Sequence, residues 1–85
     1  MDSYKVLKYP LTTEKAIKLM ETENKLLFVV DEKSDKTKIK QAAEELFKVK
    51  VVKVTTHSIK GQKRAYIKLS KENVAADVAT QLGLM

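Results

Sequence analysis

Leu26-Leu27-Phe28-Val29-Val30 is the segment that most narrows the folds open to this chain. Five apolar residues in a row, bounded by Lys25 and Asp31, have the length of a strand but not the alternation of a half-exposed one. Successive side chains of a strand leave on opposite faces. This strand is therefore buried on both faces, and its sheet needs a cover on each side. The chain has 85 residues, enough for one small domain and too few for two, so the covers must be short helices of the same unit.

Helices are written on both sides of the run. Before it, Tyr4 to Leu7 reads as a short strand ended by Pro10. Thr12 or Thr13 then caps a helix that has Glu14 in its first turn and runs to about Thr22. That helix buries Ala16, Ile17, Met20 and Leu19, and Glu23-Asn24 turns the chain into the apolar strand. After the run, Ser34 or Asp35 caps a second helix over 36–48. Its Ile39, Ala42, Ala43, Leu46 and Phe47 form one apolar stripe.

Val51 to Ile59 is rich in β-branched residues and reads as a strand, with Val52 and Val54 inward and Lys53, Thr55 and His57 on the other face. A short turn, Lys60-Gly61-Gln62, leads into the strand Lys63 to Ser70 and makes a hairpin. Ala65, Ile67 and Leu69 share one face of that strand, and Arg64, Tyr66 and Lys68 the other. Asn73 caps a last helix, Val74 to Leu82, closed by Gly83. The order β-α-β-α-β-β-α predicts an α+β fold, a small antiparallel sheet with helices packed on both faces. The second helix is a crossover, so its flanking strands are parallel and the connection right-handed. Inserting the last strand between those two makes every neighbouring pair antiparallel and places Leu26–Val30 inside the sheet.

Charge sharpens the functional reading. The net charge is +6, and it is unevenly placed. Residues 1–32 carry five Lys and six acids. Residues 33–64 carry nine Lys and one Arg against Asp35, Glu44 and Glu45, a balance of +7, and residues 65–85 are neutral. Segregation of this kind is the footprint of a phosphate-contacting surface. The alternatives are a Lys-rich surface serving solubility and a thermophile's Lys/Glu bias, and that bias would intersperse the two signs. No apolar run approaches membrane-spanning length, so no membrane insertion is expected, and no apolar h-region follows Met1-Asp2-Ser3-Tyr4. Without cysteine there are no disulfides, thiolate nucleophiles or Cys-type zinc sites.

Catalysis has little to stand on. His57 is the only histidine, mid-strand among Thr and Lys, and reads as a surface residue. A general base needs an orienting partner and a metal site needs several ligands. The only glycines are Gly61 and Gly83, so there is no Gly-rich phosphate loop and no cofactor is expected. Glu44 and Glu45 lie on the outer side of the second helix, where Lys40 and Lys48 balance them.

Binding fares better. Lys33, Lys36, Lys38 and Lys40 crowd the first turns of the second helix, where the dipole favours acids. A phosphate held by Thr37 Oγ, free backbone N–H groups and the Lys heads would offset that cost, the alternative being lysines that extend into water. Tyr66 between Arg64 and Lys68 suits a polyanion with stackable bases, which RNA offers, the alternative being an ordinary solvated strand. With Lys60 and Lys63, these residues predict one continuous RNA surface. The acidic first helix, with Glu14 and Glu21, is expected on the side away from it, free to receive a basic partner.

Three segments together resemble one family. Tyr9-Pro10-Leu11-Thr12-Thr13-Glu14-Lys15-Ala16 is similar to the Pro-x-x-[Ser/Thr]-Glu-Lys-[Ala] opening of the universal large-subunit ribosomal protein number twenty-three. Thr37-Lys38-Ile39-Lys40 resembles its Thr-Lys-x-x-[Ile/Val]-[Lys/Arg] segment in shortened spacing. Lys63 to Ser70, followed by Val78, resembles its signature of two basic residues, a small one and an alternating strand. The resemblance covers nearly the whole chain. It implies a cytoplasmic component of the large ribosomal subunit that binds large-subunit rRNA beside the peptide exit tunnel, among neighbouring ribosomal proteins. It also implies a docking point for nascent-chain chaperones and the signal recognition particle, with Glu14 matching the glutamate implicated in docking. The bacterial form carries a long basic loop between the last two strands, and the eukaryotic form a long N-terminal extension. This sequence has neither and resembles the archaeal form. The alternative on the residues alone is a free-standing RNA-binding or regulatory α+β module, with a small acyl-phosphate-type enzyme behind it.

Overall fold

The structure is a computed structural model that describes residues 6–81. Its elements are β1 (Leu7–Pro10), α1 (Glu14–Glu23), β2 (Lys25–Val30), α2 (Lys36–Phe47), β3 (Val51–Ile59), β4 (Gln62–Leu69) and α3 (Ala75–Gln81). The four strands form one sheet in the order β1-β2-β4-β3, every neighbouring pair antiparallel. β4 is inserted between β2 and β3, which therefore run parallel without touching. The α+β class, the element order and the split arrangement are those the sequence predicts.

The apolar run explains the layering. Leu26 through Val30 are all buried. Leu26, Phe28 and Val30 share a cluster with Val54, Ala65, Ile67 and Leu69 from the other strands, Ile39, Ala42 and Ala43 from α2, and Ala75, Val78 and Ala79 from α3. Ile39 and Ile67 are fully buried there, and side chains of this size contribute roughly 1.5–3 kcal/mol each by burial. Leu27 and Val29 point to the reverse face and are buried outside that cluster, as is Ala16 of α1. α1 covers this reverse face beside β2, and its Lys15 ammonium lies over the Tyr66 ring.

Local chemistry sets the helix ends. Thr13 Oγ1 accepts the Ala16 N–H at 3.2 Å, and an Asp35 carboxylate oxygen accepts the Lys38 N–H at 2.8 Å. Asp35, not Ser34, is thus the cap of α2. Ser34 is buried, and its carbonyl accepts from Lys63 Nζ. Asn24 and Lys48 close α1 and α2 in the left-handed conformation.

Four local expectations are corrected. The first strand runs from Leu7 through Pro10, which pairs with Phe28; a proline is tolerated there because β1 is an edge strand. Tyr4, Leu82 and Gly83 lie outside the described residues. Val52 does not point inward. Val51 pairs with Leu69 and Lys53 with Lys68, so two steps on β3 oppose one on β4. Val52 is the extra residue of this bulge, 60% exposed, and Val51 takes its place in the core. Asn73 does not cap α3 through its side chain, whose oxygen accepts from Lys50 N at 2.9 Å. The Ala75 N–H instead donates to Asn24 Oδ1 at 2.7 Å, from the far end of α1. Finally, the Glu44 carboxylate accepts the Val51 N–H at 3.1 Å rather than balancing a lysine, because the start of β3 needs an acceptor there.

Candidate nucleic-acid interface

The strand register converts sequence into a surface. Residues directly opposite across neighbouring strands share a face. On the face of the sheet that carries Tyr66, three rows run across β2, β4 and β3. They are Lys25–Lys68–Lys53, Leu27–Tyr66–Thr55, and Val29–Arg64–His57. Tyr9 of β1 extends the third row, since it pairs with Val29. The four strands hold Lys8, Lys25, Lys53, Lys63, Arg64 and Lys68 and no carboxylate, so nothing within the sheet neutralises this face.

The first row stands out physically. Lys68 sits opposite Lys25 on one side and Lys53 on the other. Like charges directly opposite destabilise a sheet by a few tenths of a kcal/mol to about 1 kcal/mol. Lys25 has a partner in Glu23 at 3.2 Å. Lys53 and Lys68 are both exposed, and the geometry suits an anion shared between them.

The third row is ordered by hydrogen bonds. Arg64 Nε donates to Gln62 Oε1 at 3.0 Å, and Gln62 Nε2 donates to the Tyr9 hydroxyl at 2.9 Å. This chain fixes the guanidinium before any ligand arrives. In the second row the Tyr66 ring meets His57 at 5.4 Å between centroids, 65° apart, edge to face. The Lys15 ammonium lies 5.8 Å from the centre of the Tyr66 ring.

The sequence-predicted residues thus fall into two groups. Arg64, Tyr66 and Lys68 lie on the open sheet face. Lys63 lies on the other face by strand alternation, donating to the Ser34 carbonyl just before α2. There it neighbours the start of α2, where Lys36, Thr37, Lys38 and Lys40 are all exposed. Lys36 and Lys40 are one turn apart, whereas Lys38 projects roughly 160° away from Lys40 around the helix. Asp35 takes up the Lys38 N–H, which places a carboxylate where a phosphate was expected to bind backbone N–H groups. An anion at this helix end therefore meets the lysine heads with the Asp35 carboxylate beside them.

Lys60 joins the two groups at the hairpin tip. Ile59 pairs with Gln62, so the turn consists of Lys60 and Gly61 alone. Both have positive φ, 49° and 78°, as a type I′ turn requires. Gly61 meets that need without strain.

Sequence reading missed Lys25, Lys53, Tyr9 and Lys15, and it left His57 as a plain surface residue. Alternation alone places Lys53 and His57 on the Tyr66 face, but only the bulge and the register set Lys53 against Lys68. Glu14 and Glu21 are exposed and about two turns apart on α1, with Lys18 between them. That helix borders the open sheet face, as the Lys15–Tyr66 contact requires, and does not lie on the side opposite it. Among the described residues no group of three or more His, Asp or Glu side chains is arranged to hold a metal ion.

A family model described as "Ribosomal protein L23" matches residues 5–77. The large ribosomal subunit protein uL23 of Methanococcus aeolicus is 48% identical over 85 residues, with 99% of each chain covered. Its counterpart in Methanococcus vannielii is 47% identical with the same coverage. The uL23 protein of Trypanosoma brucei brucei is 46% identical over 99% of this chain, which spans 52% of that longer protein.

Proposed function

From the premise that the chain belongs to the ribosomal protein L23 family, we propose that it binds large-subunit rRNA near the peptide exit tunnel through the open face of its sheet and the lysines at the start of α2. As a family member it is a structural, non-enzymatic component of the large ribosomal subunit, in the cytoplasm, among rRNA and other ribosomal proteins. In this reading residues 1–85 act as a single rRNA-binding domain.

The observation that carries the reading is the Lys25–Lys68–Lys53 row, in which Glu23 partners Lys25 while Lys53 and Lys68 stand opposed with no acid in the strands. Phosphates relieve that opposition. Arg64 adds a preoriented donor and Tyr66 a ring on the same face, while Lys36, Lys38, Lys40, Lys60 and Lys63 extend the contact around the hairpin. Thr37 contributes a hydroxyl at the rim. On α1, Glu14 and Glu21 offer exposed negative charge to a nascent-chain chaperone or the signal recognition particle at the exit rim, next to the RNA face.

Titration against large-subunit rRNA at several salt concentrations tests this. Each phosphate contact contributes about 0.7–0.9 to the slope of log affinity against log salt. Replacing Lys36, Lys38 and Lys40 by Gln lowers the slope by roughly two and leaves the fold unchanged. An unchanged slope removes the start of α2 from the RNA surface.

A further inference from the structure

We infer that His57 is a base-contacting residue. An unpaired RNA base stacks on its ring at the corner formed with Tyr66, and the phosphates on either side are held by Arg64 and Lys53. The inference rests on the open sheet face being the RNA surface and names what that face recognises.

Geometry favours His57 over Tyr66 as the stacking ring. Tyr66 is half-buried and already has the Lys15 ammonium over its ring. His57 is exposed on β3, an edge strand of the sheet among the described residues. The two rings meet at 65°, so they form two walls of a corner, and Tyr66 braces the imidazole edge-on. A base stacked on His57 can therefore turn one edge toward the Tyr66 side. Arg64 faces His57 directly across the strands, its Nε fixed by Gln62 and the remaining donors left for a phosphate. Lys53 and Thr55 lie on the same face of β3, two and one alternate positions away. A polar, cationic strand with a single exposed ring is suited to one base and its backbone.

The same geometry argues against a duplex as the ligand. Paired bases in A-form RNA are stacked inside the helix and present sugars and phosphates to a protein, so a free ring has no partner there. Single-stranded loops and bulges splay bases outward, and stacking of one base contributes roughly 1–3 kcal/mol.

The test uses the full chain and complete large-subunit rRNA, with affinities measured for His57→Ala, His57→Phe and Arg64→Gln. Because His57 is exposed, circular dichroism of both His57 variants should match that of the unmodified protein. His57→Ala is expected to bind about 5- to 150-fold more weakly, the equivalent of one stacked base. His57→Phe, which keeps a ring, is expected within about threefold of the unmodified protein. Short-wavelength ultraviolet crosslinking of the complex is expected to join RNA to the β3 peptide that contains His57. If Ala and Phe lose affinity equally, the imidazole nitrogens act and stacking is wrong. If both His57 variants bind normally while Arg64→Gln is weakened, the face holds RNA backbone with no base at the corner. If Arg64→Gln also binds normally, the open face is not the RNA surface and the underlying reading fails with the inference.

Discussion

Lys53→Gln should move stability and RNA affinity in opposite directions. Lys53 stands directly opposite Lys68, whose other neighbour is Lys25, and no carboxylate lies in the strands between them. Removing one like-charge opposition is worth roughly 0.2–1 kcal/mol. Gln keeps most of the length of the side chain, so packing beside the bulge is retained. For a domain of this size each kcal/mol shifts Tm by about 4–8 °C, which puts the expected rise at roughly 1–8 °C. Salt screens exposed charges, so the gain should be largest at low ionic strength and shrink as salt approaches 1 M, where the Debye length is about 3 Å. Against large-subunit rRNA the same substitution should lower the slope of log affinity against log salt by about 0.7–0.9, one phosphate contact. Thermal unfolding at two salt concentrations and filter binding across a salt series give both quantities from one protein preparation. A Lys53→Gln protein that is less stable than its parent refutes the repulsion argument. One that is more stable but keeps the full salt slope refutes the anion shared between Lys53 and Lys68.

Three further outcomes follow from the geometry. Asn24 holds positive φ, donates from Nδ2 to the Asn73 carbonyl at 2.8 Å and to the Ser70 carbonyl at 3.2 Å, and accepts the Ala75 N–H. Asn24→Gly should cost about 1–3 kcal/mol in urea unfolding through the lost cap and bridges, and Asn24→Ala about 1–2 kcal/mol more through the left-handed backbone; an Ala variant as stable as Gly shows that the backbone conformation is not strained. Tyr66→Phe should bind rRNA nearly normally and Tyr66→Ala lose about 1–3 kcal/mol, because the ring both offers contact and braces His57; equal losses identify the hydroxyl instead. Glu14→Lys should weaken docking of a chaperone or signal recognition particle to purified ribosomes at low salt without altering incorporation into the subunit, since a rim charge acts mainly on association rate; equal docking leaves Glu14 as a first-turn charge of α1.

The layering was legible because one pattern has only one physical solution. Five apolar residues in strand length require cover on both faces, and the two amphipathic helices that flank the run supply it. The inward set Ala65, Ile67 and Leu69 was legible for the same reason, alternation being a property of each strand alone. Val52 was not, because a bulge depends on how two strands meet and leaves no mark in the β-branched run that contains it. The cap of α3 was hidden differently. Asn73 has the residue type and spacing of a cap, but Asn24 reaches the same N–H from a distant part of the chain. The interface divided along similar lines. Arg64, Tyr66 and Lys68 follow from the period of one strand, whereas only register sets Lys25 and Lys53 directly beside Lys68. Lys63 shows the limit of charge counting, since it is next to Arg64 in sequence and on the opposite side of the sheet.

The strand order also dictates when the basic face comes into being. β3 and β4 are joined by a two-residue turn, and hairpins of this kind form in about 1–10 μs. Contacts local to this hairpin are therefore enough to set Lys53 against Lys68. β2 must arrive from beyond α2 and pair along the other edge of β4, a non-local and slower step, before Lys25 completes the row. A ligand that binds only the finished sheet stabilises it by mass action. On the proposed reading of this face as the RNA surface, RNA binding and the pairing of β2 with β4 form one equilibrium.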